Sequence, residues 1–254
     1  MFESFITTVK ERQPLVFAVG TGFYSGDLAD SINAAGGCCL LCEGVETARE
    51  ADFNAAAFTM CNCLEREQQI ILEAGMIAEK NGVPVVFDLE GIAESTYRQD
   101  TAKQLLGAVK PACIIGSAAE ISCVCGASID TNDISAVKSK AKQLAKQYNA
   151  VVAAVGRESI VTDGERTYII RNGSFYTGKL QSARGMLTGL TALFCGAVEA
   201  YFVVVAAAVS VFGVAAEYAE EKMSGLGSFK MHILDGLSTM NEVYYKEKSK
   251  IEEF

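Results

Sequence analysis

The chain has 254 residues, half of them hydrophobic and 21% charged, a composition that excludes intrinsic disorder and suits one large α/β domain over residues 1–254. The formal net charge is −9 with no basic tract, which argues against a nucleic-acid or anionic-membrane surface. The start of the chain is mixed and charged rather than a secretion signal, and nine cysteines in that setting lead us to expect reduced thiols in a cytoplasmic protein.

Strand-like and helix-like stretches then alternate. Residues 14–20 (PLVFAVG) are a short apolar run ended by glycine, and residues 27–35 follow with helical spacing. Residues 38–42 are apolar, 45–51 are charged and helix-forming, and 55–60 are again strand-like. Residues 65–81 form an amphipathic helix stopped by Gly82, and 83–88 (VPVVFD) read as a buried strand with a carboxylate at its C-terminal end. Residues 113–116 follow a helix, 133–148 predict a Lys-rich helix, and 151–156, 159–163 and 167–170 are strands, the last two joined by a DGER turn. Helices over 184–201, 203–222 and 228–249 complete the chain. This alternation predicts a three-layer α/β/α sandwich around a mostly parallel sheet.

Residues 200–216 are uncharged and at the short end of membrane-spanning length. They are Ala-rich, closely flanked by Glu199 and Glu217, and lack Lys/Arg asymmetry, so a helix buried between the sheet and its neighbours is expected, with no membrane.

Ligands of such sheets bind outside the carboxyl ends of the strands. Residues 178–197 (GKLQSARGMLTGLTALFCGA) place a small-residue turn before a long apolar segment, and a helix N-terminus of that kind favours a phosphate. Asp88 and Glu120 fall at strand ends, where two carboxylates could hold Mg2+ beside a nucleotide phosphate or could cap a helix or turn. Gly20, Gly22 and Gly26 lack the spacing of a dinucleotide fingerprint. The pairs Cys39/Cys42, Cys61/Cys63 and Cys123/Cys125 sit among apolar neighbours and read as packed thiols more readily than as metal ligands. His232 is the only histidine and lies on a predicted helix, which disfavours a Ser-His-Asp hydrolase.

Several short motifs in order resemble one family. GVPVVFD (82–88) is similar to G-V-P-V-V-L-D, IIGSAAEI (114–121) to I-R-G-N-A-S-E-I, and VTDG (161–164), RNG (171–173), GMLTG (185–189), AAEYA (215–219) and GLGSF (225–229) fit in register. Together they resemble hydroxyethylthiazole kinase, of the ribokinase-like superfamily. The resemblance implies a homotrimer with substrate sites between subunits and a kinase that uses ATP and Mg2+. Its substrate would be a small molecule, the thiazole alcohol 4-methyl-5-(2-hydroxyethyl)thiazole, phosphorylated on its hydroxyl in thiamine salvage. It also implies metal-associated roles for Asp88 and Glu120.

The departures fall at the site. The family turn T-G-T-G-C corresponds to Gln181, Ser182, Ala183, Arg184 and Gly185, so the cysteine that faces the attacking hydroxyl aligns with Gly185. Arg184 replaces a glycine there, and Ser182 replaces another beside the substrate and its phosphate. The ATP-contacting positions align with Ile115 and Val155, with Ser117 in place of an asparagine, and the substrate-side methionine aligns with Leu41. The early I-T-N motif becomes Val19, Gly20 and Thr21, and D-P-V-G-A-G becomes DLEGIA, which brings Glu90 close to Asp88. Arg184 could supply a guanidinium where the family uses backbone amides, or fill the anion position with its own cation. A kinase for thiazole alcohol, a kinase for another small alcohol and an inactive family member all fit this pattern.

Overall fold

Alternate residues of the strands point to opposite faces of a sheet, and here both sets are apolar. The computed structural model describes residues 2–20, 25–42, 44–61, 65–126 and 129–254; Thr21 and Gly22 of the glycine-rich stretch, and Cys63, lie outside them. Among the described residues, β1 (Leu15–Val19), β2 (Cys38–Leu41), β3 (Ala55–Thr59), β4 (Val85–Asp88), β5 (Cys113–Gly116), β6 (Val151–Ala154), β7 (Ser159–Thr162), β8 (Thr167–Ile170) and β9 (Ile251–Glu253) form one sheet. Their order is β2-β1-β3-β4-β5-β6-β7-β8-β9, parallel from β2 to β6 and antiparallel beyond.

On one face Val16, Ala18, Ala57, Val86 and Ile115 join a core with α1 (Ser4–Arg12), α2 (Ser25–Ala34), α8 (Ala183–Ala197), α9 (Tyr201–Lys222) and α10 (Leu226–Thr239). On the other, Phe17, Phe58, Phe87, Ile114 and Val152 pack against α3 (Val45–Glu50), α4 (Glu65–Asn81), α5 (Thr96–Val109), α6 (Ala118–Val124) and α7 (Ile134–Tyr148). The three-layer expectation holds. The 22-residue α9 has mean hydropathy 2.0 over its most apolar stretch, but 83% of that stretch is buried inside the protein against α8, α10 and β6 to β8.

Some boundaries differ from the sequence expectation. The last predicted helix is two, α10 and α11 (Glu242–Lys248), because Asn241 adopts an extended conformation and its side chain accepts from Tyr244 N at 3.0 Å. The helix predicted over 184–201 ends at Ala197, since Val198 is extended. Helices α1 and α6 and the edge strand β9 were not anticipated.

Candidate active site

The site forms where β4 and β5 end and α8 begins. Asp88 is the last residue of β4 and shares the face of Val86, so it points toward α8 and is fully buried. Glu120 is in the first turn of α6, not at a strand end, and forms a capping box with Ser117. Its Oε2 accepts from Ser117 N at 2.7 Å and its Oε1 from Gly91 N at 2.9 Å. The capping reading of this carboxylate is therefore correct, and it is incomplete.

What completes it is Arg184, the only charged residue of α8. A single nitrogen, Nη2, lies 3.0 Å from Asp88 Oδ1 and 2.9 Å from Glu120 Oε2. One turn along the same helix, Thr188 Oγ1 donates to Asp88 Oδ2 at 2.9 Å and reaches Arg184 O at 3.0 Å. Asp88 Oδ1 also accepts from Glu90 N at 3.1 Å. The positive end of the α8 dipole opposes a cation in the first turn by about 0.3–1 kcal/mol. Two carboxylates at contact distance outweigh that opposition.

The electrostatics follow from burial and from these contacts. Burial pushes the Asp88 carboxyl up to about 6, against the pull of Arg184. Burial, with Asp88 nearby, pushes Glu90 up to about 7. Burial acts on Glu120 in the same sense, but Arg184 and the N–H groups of Ser117 and Gly91 outweigh it and hold Glu120 below its ordinary value. Cys61, hydrogen-bonded to Glu90, is raised to about 11 by burial and by that carboxylate, so its thiol stays protonated.

Of the residues singled out in the sequence, Asp88, Glu120 and Arg184 are brought into contact, and Ser182 and Gly185 flank Arg184. Gly185 is buried, and a Cβ built on it would meet only Leu28 Cβ, at 3.9 Å. Ile115 pairs with Asp88 on the neighbouring strand, yet its side chain is fully buried in the apolar core. Val155 is half-buried just beyond β6 and donates its N–H to Gly116 O at 2.9 Å. Leu41 ends the edge strand β2, separated from β4 by β1 and β3. His232 pairs with Asp235 on α10, away from this cluster. Thr188 was not singled out; its place four residues after Arg184, on the same helix face, was the available signal.

The pair Asp88 and Glu120, expected to associate with Mg2+, is instead bridged by a guanidinium. Each of the four carboxylate oxygens has at least one protein donor, and the two that face each other have two. Among the described residues no group of three or more His, Cys, Asp or Glu is arranged to hold a metal ion. With Arg184 in this position the residues do not fit a directly bound divalent cation. A phosphate is a different matter: Ser182 Oγ, at the N-cap of α8, and Arg184 Nε, in its first turn, are buried without a partner. Buried donors are nearly always satisfied, so two orphans at a helix N-terminus fit an anionic ligand.

Other matched motifs build the scaffold. Asn172 of RNG accepts from Ser210 Oγ at 2.9 Å and Lys250 N at 2.7 Å and donates to Lys248 O at 2.9 Å. Glu217 of AAEYA accepts from Gly173 N at 3.0 Å, so two motifs far apart in sequence form one joint. Gly213 lets α9 approach this joint: a Cβ there would lie 2.6 Å from Asn172 O.

Comparison with known proteins bears on the family and the fold. A sequence model of the hydroxyethylthiazole kinase family matches residues 6–243. A hydroxyethylthiazole kinase of Clostridium botulinum (strain Eklund 17B) is 31% identical over 258 residues, covering 96% of this chain and 93% of that protein. One from Thermoanaerobacter pseudethanolicus is 30% identical over 262 residues, covering 99% of each. In fold, the chain is similar to the structure of a hydroxyethylthiazole kinase protein from Pyrococcus horikoshii OT3, with TM-score 0.92 and 24% identity over 100% of this chain and 98% of that one. Structures of pyridoxal kinase share the ribokinase-like fold more distantly. The chain belongs to the hydroxyethylthiazole kinase family.

Proposed function

We propose that the protein is a cytoplasmic kinase that transfers the terminal phosphoryl group of ATP to the hydroxyl of 4-methyl-5-(2-hydroxyethyl)thiazole, as a homotrimer, in thiamine salvage. The observation that carries this reading is the pair of orphaned buried donors, Ser182 Oγ and Arg184 Nε, at the start of α8 in a chain of this family. Phosphoryl transfer asks little covalent chemistry of the protein; it asks for positioning and for charge opposite the phosphate. Arg184 supplies a guanidinium N–H donor, its charge being shared with Asp88 and Glu120, and the first turn of α8 supplies backbone dipoles. Glu90, with its carboxyl near 7, is the group available to take the hydroxyl proton where Gly185 offers no thiol. Large apolar side chains left exposed on α10, Leu226 and Met231, support contacts between copies.

Purified protein incubated with ATP, magnesium and the thiazole alcohol should form the thiazole phosphate, detected by mass spectrometry. A folded sample that forms none above a no-enzyme control contradicts the proposal. Gly185 favours a second reading, a family member that binds ligand without turnover. Under that reading nucleotide raises the melting temperature while no product appears.

A further inference from the structure

We infer that Arg184 is a built-in cation that takes the seat of a divalent ion between Asp88 and Glu120, so that the free protein binds no divalent ion there while the guanidinium is present. The inference deepens the proposed reading and rests on it for the location of the site alone. Its test reads cation binding, so it can fail while thiazole phosphorylation stands, and the reverse.

Geometry is the first ground. Nη2 is a single charged atom within 3.0 Å of Asp88 Oδ1 and 2.9 Å of Glu120 Oε2, which is the bridging position of an ion shared by two carboxylates. A hard divalent cation needs oxygen ligands on several sides at about 2.0–2.6 Å. It cannot share that gap with a guanidinium nitrogen.

Ligand capacity is the second. A carboxylate oxygen has two lone-pair positions. Asp88 Oδ1 spends one on Glu90 N and Glu120 Oε2 spends one on Ser117 N. Arg184 takes the remaining position on each. The oxygens that point away are bonded to Thr188 and to Gly91 N. The carboxylates are thus oriented toward one shared cation by donors on α6, α8 and the segment after β4, and the chain itself provides that cation.

Charge is the third. Asp88 is fully buried and Glu120 nearly so, and buried carboxylates require a counter-charge. Removing Arg184 leaves two aligned carboxylates with two opened lone-pair positions and no counter-charge. That is a demand a divalent ion can meet.

The test is Mn2+ titration of the full chain without nucleotide, following the free-ion EPR signal, on wild type, Arg184→Gly, Arg184→Gln and each combined with Asp88→Asn. The expected result is no saturable binding by wild type. The Arg184 variants should bind Mn2+ saturably, at least about tenfold more tightly than any residual wild-type binding, an affinity lost again with Asp88→Asn, and only their melting temperatures should rise with Mn2+. Wild-type binding that Asp88→Asn abolishes overturns the inference, as do folded Arg184 variants that remain blind to Mn2+. Variants that fold only when Mn2+ is present support it. Should neither Arg184 variant fold at all, saturable wild-type binding that Asp88→Asn abolishes still overturns the inference, and its absence supports it.

Discussion

Arg184 Nη2 lies 3.0 Å from Asp88 Oδ1, closing an ion pair between the first turn of α8 and the buried end of β4. The pair joins a helix that is otherwise uncharged to a strand end that is otherwise apolar, and Glu120 is drawn into it from the opposite face of the sheet.

Breaking the contact from the cationic side is expected to be severe. In cation-free buffer Arg184→Ala leaves Asp88 and Glu120 without a counter-charge, and removing one partner of a buried ion pair costs about 3–5 kcal/mol. Urea unfolding followed by circular dichroism checks this. A loss under about 1 kcal/mol, the level of a surface pair, would show that the contact contributes little.

The pH dependence has a definite sign. Asp88 and Glu90 carry pKa values raised to about 6 and about 7 from ordinary values of 3.8 and 4.5. Between the ordinary and raised values the folded state holds more protons than the unfolded state, so stability falls as pH rises through that window and levels off above it. Glu120, held below 4.5, contributes the opposite slope at lower pH. Glu90→Gln should flatten the fall above 4.5 by up to about 1.4 kcal/mol per pH unit. Unfolding midpoints measured across the range test it; a slope unchanged by the substitution would refute the role of Glu90.

Gly185 has space for a side chain, with Leu28 Cβ at 3.9 Å as its nearest contact. Gly185→Ala should therefore stabilise α8 by about 0.5–1 kcal/mol, the helix-propensity difference. Gly185→Cys introduces a thiol where the resemblance noted in the sequence implies one, and should raise the rate of thiazole phosphorylation on the order of 10²-fold, the low end for a positioned proton-transfer group. Parallel melting curves and steady-state kinetics separate the two effects.

Gly213 has the opposite environment. A Cβ placed 2.6 Å from Asn172 O must push α9 away from Asn172, loosening the bond of Glu217 to Gly173 N. Gly213→Ala should cost about 1–3 kcal/mol through overpacking, without direct contact with Asp88 or Arg184. A neutral effect on the unfolding midpoint would contradict the close approach.

Much of the scaffold was legible in the sequence because its signal is local. Apolar runs such as residues 83–88 and the alternation with helical spacing gave the sheet and its layers, and flanking glutamates separated the buried α9 from a membrane span. The break at Asn241 was legible too, as an N-cap residue followed by an acidic first turn, but it was subsumed in a longer helical pattern. The bridging of Asp88 and Glu120 by Arg184 was not legible. It depends on the first turn of α8 arriving over the ends of β4 and β5, and no local pattern encodes that arrival. Glu120 shows the limit clearly: spacing offered a cap or a metal ligand, and it is a cap that also pairs with a guanidinium. Asn172 likewise matched a short motif whose partners, Ser210 and Lys250, come from other parts of the chain.

Whether a guanidinium or a divalent ion sits between Asp88 and Glu120 is read most directly from a crystal structure grown in manganese chloride and recorded at the manganese absorption edge. No anomalous peak is expected between Asp88 Oδ1 and Glu120 Oε2, with Arg184 Nη2 bridging them. A manganese peak coordinated by both carboxylates, with Arg184 turned away, would contradict it.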